Sequence, residues 1–149
     1  MSNNYTQSSF LVPLKNKDEI IWVQDMLAAM AECARGNDVC IESWAPALFD
    51  HIRNCGCVTN SYEIQREGDK QVLWVCHDET FDVVEAAEFV HAFLSHYDLV
   101  ETVEFEWAET CSQPCVGEFA GGACVVTAKG WDSDSTRTLL KGLRKKLED

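Results

Sequence analysis

Apolar and polar positions alternate with a period of two over 103–107, where Val103, Phe105 and Trp107 are separated by Glu104 and Glu106. That pattern predicts a strand with one buried face and one wet face, and it places Phe105 and Trp107 in the core. A Cys/Pro/Gly loop follows, in which Gly117, Gly121 and Gly122 let the backbone turn, and a run of small and β-branched residues completes a hairpin to Thr127. A second hairpin is predicted from Tyr62–Arg66 and Gln71–His77, joined by Glu67-Gly68-Asp69-Lys70. Its second strand contains VLWVC, apolar on both faces, which suits a central position in a sheet. The short apolar run Phe10–Leu14, ending near Pro13, predicts a first strand at its end or at a sheet edge.

Helical spacing appears in four places. Asn16 with Glu19 forms a capping pair ahead of Ile20, Val23, Leu27, Met30, Ala31 and Ala34, and Gly36-Asn37 stops that helix. Trp44, Leu48 and Ile52 mark a shorter helix with Ser43 as its cap and Pro46 in its first turn, broken at Cys55-Gly56-Cys57. Asp82 with Glu85 precedes the stripe Val83, Ala86, Ala87, Val90, Leu94 and Tyr97. Gly130–Asp132 breaks off the central hairpin, and 133–149 reads as an amphipathic helix with Leu139, Leu143 and Leu147 against a basic face. Residues 1–8 are polar and expected to fray. The order β-α-(α)-β-β-α-β-β-α contains the ferredoxin-like βαββαβ unit. The expectation is one α+β domain over 1–149, a ferredoxin-like two-layer sandwich. Its sheet would be mainly antiparallel, with an extra edge hairpin strand and helices on one face.

Composition narrows the function classes. With 149 residues, 46% of them apolar, and five tryptophans, the chain can bury a core without metal or disulfide staples. No apolar run approaches a membrane span, and MSNNYTQSS lacks the features of a signal peptide, so a cytoplasmic protein is expected. Eight cysteines are then read as reduced thiols. A formal charge of −13 excludes a simple nucleic-acid binder, because phosphate contacts need Lys and Arg. The charge is also unevenly placed. Between Gln71 and Ala128 there is no Lys or Arg, whereas Arg137, Lys141, Arg144, Lys145 and Lys146 crowd the tail.

Three chemistries compete for these residues. Cys55-x-Cys57, Cys76-His77 and Cys111-x3-Cys115 carry zinc-binding atoms, but none has the paired Cys-x2-Cys spacing, and no metal or other cofactor is expected. A thiol enzyme would centre on Cys111, with Glu109 and Pro114 nearby and the Gly121 and Gly122 amides as an oxyanion hole. Its base would come from His51, His77, His91 or His96. His91 and His96 read as surface residues, and the expected topology sets His77 at the sheet end away from Cys111. The third reading is an acidic interaction surface. Glu104 and Glu106 point away from the core, Glu63 and Glu67 share a parity, and Glu85 and Glu88 are expected to face outward on their helix. Glu109 and Glu118 extend the set. The bland counterpart is a solvated face that serves solubility.

The segment WAETCSQPCVGEFAGGACVVTA resembles one that recurs in small uncharacterised proteins of bacteriophages and other mobile elements, most specifically in its Thr-Cys-Ser-x-Pro…Gly-Glu-Phe-x-Gly-Gly-Ala loop. The similarity extends to VLWVCHDE, EAAEFVHAFLSHY and FLVPLKNKDE, roughly half the chain. In that family the position of Cys115 is more usually basic and that of Ala120 is often Gly. The resemblance implies a phage-encoded protein in the bacterial cytoplasm. Together with the acidic surface it suggests a non-enzymatic accessory protein that presents that surface to a host or phage protein with a basic surface, and inhibits a nucleic-acid-handling defence component. A homodimer is compatible with this reading, and the Cys111-centred thiol protein is the alternative.

Overall fold

The computed structural model describes residues 4–148; Met1–Asn3 and Asp149 lie outside the described residues. Six strands form one open antiparallel sheet: β1 (Asn4–Leu14), β2 (Ser61–Glu67), β3 (Lys70–His77), β4 (Val103–Cys111), β5 (Ala120–Thr127) and β6 (Gly130–Ser135). Their spatial order is β2-β3-β1-β4-β5-β6. Four helices accompany them: α1 (Lys17–Ala34), α2 (Pro46–Cys55), α3 (Val83–His96) and α4 (Thr136–Glu148), with a 3₁₀ turn at Glu42–Trp44 ahead of α2. The protein is therefore α+β, with VLWVC in an interior strand as its apolar faces require.

Local chemistry sets the element ends. The Asn16 side chain accepts from the Glu19 amide at the start of α1, and Asp82 accepts from the Glu85 amide at the start of α3. Helix α2 departs from expectation, since Ala45 rather than Ser43 occupies the cap and no side chain bonds there. Pro46 takes the first helical position, where its missing N–H has no intrahelical partner to lose. Gly56 ends α2 with φ of 75°, a left-handed conformation that a β-carbon would strain.

Two expectations about the ends of the chain are corrected. Asn4–Ser8, expected to fray, form the first half of β1 because their backbone pairs with β3 and β4. The residues 133–135, expected to be helical, belong to β6, which pairs with β5 from Gly122↔Ser135 to Thr127↔Gly130. The sheet thus continues two strands beyond β4.

Alternate strand residues face a helical layer. Val12, Leu14, Leu73, Val75, Val103, Phe105, Cys124 and Val126 are buried in one apolar cluster with Trp22, Met26, Phe49, Ile52, Phe89 and Phe93. Phe10 and Phe105 stack at 4.5 Å between centroids. Trp107 is half-buried against this cluster, with its indole N–H donating to Glu109 at 3.4 Å. Helix α4 is the exception, because none of its side chains is buried.

Candidate functional site

The sheet face turned away from the core is the first candidate. Strand pairing aligns Glu63, Trp74 and Leu11 across β2, β3 and β1, and aligns Glu104, Val125 and Asp132 across β4, β5 and β6. A second row runs Ser61, Cys76, Ser9, with Glu106, Ala123, Asp134 on the other half. The halves meet where β1 and β4 separate. Their ladder runs only from Asn4↔Cys111 to Gln7↔Ala108, after which the Ser8 hydroxyl donates to the Glu106 carbonyl at 2.6 Å. The resulting cleft, about 430 Å³, is lined by Ser9, Glu104, Glu106, Ala123 and Val125 among others. Leu11 and Val125 are exposed on this side of the sheet, so the face mixes apolar side chains with carboxylates.

The acidic residues singled out from the sequence divide. Glu63, Glu104 and Glu106 are exposed on this face, and Glu67 is exposed at the hairpin end. Glu118 is exposed in the loop between β4 and β5, off the sheet. Glu109 has the opposite parity to Glu104 and Glu106, so it lies half-buried beside Trp107. Glu88 is half-buried on the helical layer and accepts from the Trp131 indole N–H at 2.9 Å.

Glu85 is a full correction. It is only 1% exposed rather than outward-facing. Its carboxylate accepts from the Thr59 amide at 2.8 Å, the Asn60 amide at 3.0 Å and the Tyr62 hydroxyl at 2.7 Å. Burial pushes the Glu85 carboxyl up from its ordinary value, and these three donors partly offset that. Tyr62 is raised as well, first by burial and then by the Glu85 charge. A carboxylate that ties the 59–62 chain segment to α3 is structural.

The glycine loop looks different in three dimensions. The Gly121 amide donates to the Thr136 hydroxyl at 3.1 Å, and a β-carbon there would meet the Trp107 carbonyl at 2.6 Å. Gly122 sits in the ladder opposite Trp107, and a β-carbon would meet that indole ring at 2.3 Å. These glycines serve close strand packing. Pro114 is exposed in the loop, and Cys111 ends β4 opposite Asn4. His77 does not lie at the sheet end away from Cys111, contrary to expectation. Because β1 is antiparallel to both β3 and β4, His77 (opposite Ser8) and Cys111 (opposite Asn4) lie toward the same end. The four-residue offset still separates them by roughly 13 Å along β1. The His77 ring accepts at Nδ1 from the Glu79 and Thr80 amides, which commits it to its own loop.

A constellation missed from the sequence joins α2 to the start of α3. Nε2 of His51 lies 2.7 Å from Oδ2 of Asp82 and 3.8 Å from Sγ of Cys55. The visible signal was His-x3-Cys on one helix, a spacing that stacks both side chains on one face. Asp82, far along the chain, carried no such signal. Cys55 is raised above its ordinary value, first by desolvation and then by Asp82, Cys57 and Glu85. Among the described residues no helix is long and apolar enough to cross a membrane. Comparison with protein-family models, curated proteins and solved structures gives no match.

Proposed function

We propose that the chain is a protein-binding module whose working surface is the open sheet face, and that its partner presents a basic surface with apolar side chains among the charges. The observation behind this is the row Glu63–Trp74–Leu11 continued by Glu104–Val125–Asp132, in which apolar groups are bracketed by carboxylates. Apolar contact would supply affinity, and the carboxylates would steer and orient the partner. A partner that handles nucleic acid, as the resemblance to mobile-element proteins suggests, has the required basic surface. The ferredoxin-like reading of the first four strands is supported by their order, β4-β1-β3-β2, with α1 and α3 in the two connections.

The experiment is an affinity capture from bacterial lysate with the wild-type chain and with Glu104→Lys/Glu106→Lys. Both side chains are exposed, so reversal leaves packing intact and replaces attraction by repulsion. An exposed ion pair contributes only about 0–1 kcal/mol, so complete loss requires several contacts acting together. The expected result is a stoichiometric basic partner retained by the wild type, released by salt and lost by the double variant. Retention by the double variant, with loss on Cys111→Ser instead, would move the function to the loop between β4 and β5.

A further inference from the structure

We propose that His51, Cys55 and Asp82 form a binding site for a borderline-soft divalent cation of the zinc class, with a fourth coordination position open to solvent. One nitrogen, one sulfur and one oxygen all lie within 4.8 Å of one another. At tetrahedral angles, zinc bonds of about 2.0–2.3 Å put such ligand atoms about 3.3–3.6 Å apart. The observed 2.7 Å and 3.8 Å lie on either side of that range and the third pair lies within 4.8 Å, so rotation of these side chains is all that drawing the three atoms around an ion requires.

The geometry separates a metal site from a thiol–imidazole–carboxylate relay. A relay uses the two imidazole nitrogens at opposite ends, one toward the thiol and one toward the carboxylate. Here both groups address the same atom, Nε2 of His51, as ligands around a shared centre do. The donor set also fits, since Zn²⁺ accepts thiolate, imidazole and carboxylate together whereas Mg²⁺ and Ca²⁺ prefer oxygen alone.

The surroundings hold the ligands in place. Asn60, itself buried, accepts from the Asp82 amide at 2.7 Å and donates to the Asp82 carbonyl at 2.9 Å. Oδ1 of Asp82 caps α3, which leaves Oδ2 to face His51. His51 and Cys55 stand one helical turn apart on α2, and Gly56 ends the helix immediately after them. Such outer contacts are what orient metal ligands in established sites. Binding would replace the His51–Asp82 hydrogen bond and the Cys55 S–H by bonds to the ion: the thiol proton goes to solvent, Nε2 of His51 ligates as a neutral imidazole carrying its one proton on Nδ1, and there is no redox change.

The test is a titration of the reduced, metal-free chain with Co²⁺, followed by competition with Zn²⁺. A single thiolate ligand gives a sulfur-to-cobalt charge-transfer absorption that zinc abolishes. We expect one equivalent to bind, Cys55→Ser to remove the charge-transfer band, and His51→Gln and Asp82→Asn each to weaken binding at least tenfold. Asp82→Asn keeps a side-chain acceptor for the α3 cap, so its fold can be checked by metal-free melting. Cys40→Ser, which alters an exposed thiol elsewhere, should bind as the wild type does. No charge-transfer band at stoichiometric Co²⁺, a band that survives Cys55→Ser, or equal loss in Cys40→Ser would overturn the proposal.

Discussion

Glu85 illustrates how a single side chain changes meaning with its surroundings. Two backbone amides and a tyrosine hydroxyl converge on a carboxylate that water hardly reaches. Glu85→Ala would orphan all three donors, and we expect it to destabilise the fold by about 2–4 kcal/mol in denaturant titrations. The pH dependence follows from the raised pKa of the folded state. The folded carboxyl takes up a proton before the unfolded one, so its contribution to stability is largest below the ordinary value of 4.5. It falls as pH rises through the folded pKa. Wild type should therefore gain stability relative to Glu85→Gln on acidification from neutrality, and a constant difference across that range would refute the assignment. Gly122 makes the complementary case of a side chain that must be absent. The Trp107 ring and the Asp134 carbonyl, 2.3 Å and 2.5 Å from a β-carbon there, leave no room for even a methyl group. Gly122→Ala should cost about 1–3 kcal/mol, measured by thermal unfolding.

Helix α4 stands apart among the elements. Leu139, Leu140, Leu143 and Leu147 are all exposed, and the basic residues Arg144, Lys145 and Lys146 lie among them. Polar contacts at its start tie it to β5 and to the loop between β4 and β5. Thr136 accepts from the Gly121 amide, and the Arg137 guanidinium donates to the Gly117 carbonyl at 2.9 Å. A helix that buries no side chain draws little stability from packing. Leu139→Ser with Leu143→Ser should then change unfolding free energy by no more than about 0.5 kcal/mol. By contrast α3 buries Phe89, Val90, Phe93 and Leu94, and truncations there should be several-fold more costly.

At the scale of the whole molecule, charge opposes compactness. A net −13 includes Glu104 and Glu106 on β4 and Asp132 and Asp134 on β6, on one sheet face with only β5 between them, where self-repulsion disfavours the folded sheet. Monovalent salt screens charges more than about 10 Å apart at about 0.1 M. The melting temperature should rise between about 0.01 M and about 0.2 M NaCl, whereas a complex with the proposed basic partner should weaken over the same range. A melting temperature that fell with salt would mean that ion pairs such as Lys15–Glu101 and Arg53–Glu42 outweigh the repulsion.

Periodicity and caps were enough to locate β2 to β5, α1 and α3, because those signals depend on residues within a turn or a strand of each other. Asn16 and Asp82 cap their helices, and the parity of Glu104 and Glu106 against Phe105 holds. Polar β6 and the first half of β1 carried no such local signal. They are strands because β5, β3 and β4 offer them backbone partners. The fate of Glu85 was half visible. Phe89 and Phe93 continue its row at i+4 and i+8, which puts it on a buried face of α3, but the partners that satisfy its carboxylate, Thr59, Asn60 and Tyr62, come from across the fold. The meeting of His51, Cys55 and Asp82 has the same origin. Sequence supplies the groups and their local faces, whereas a long-range contact depends on how α2 and α3 pack, and no window along the chain contains that information.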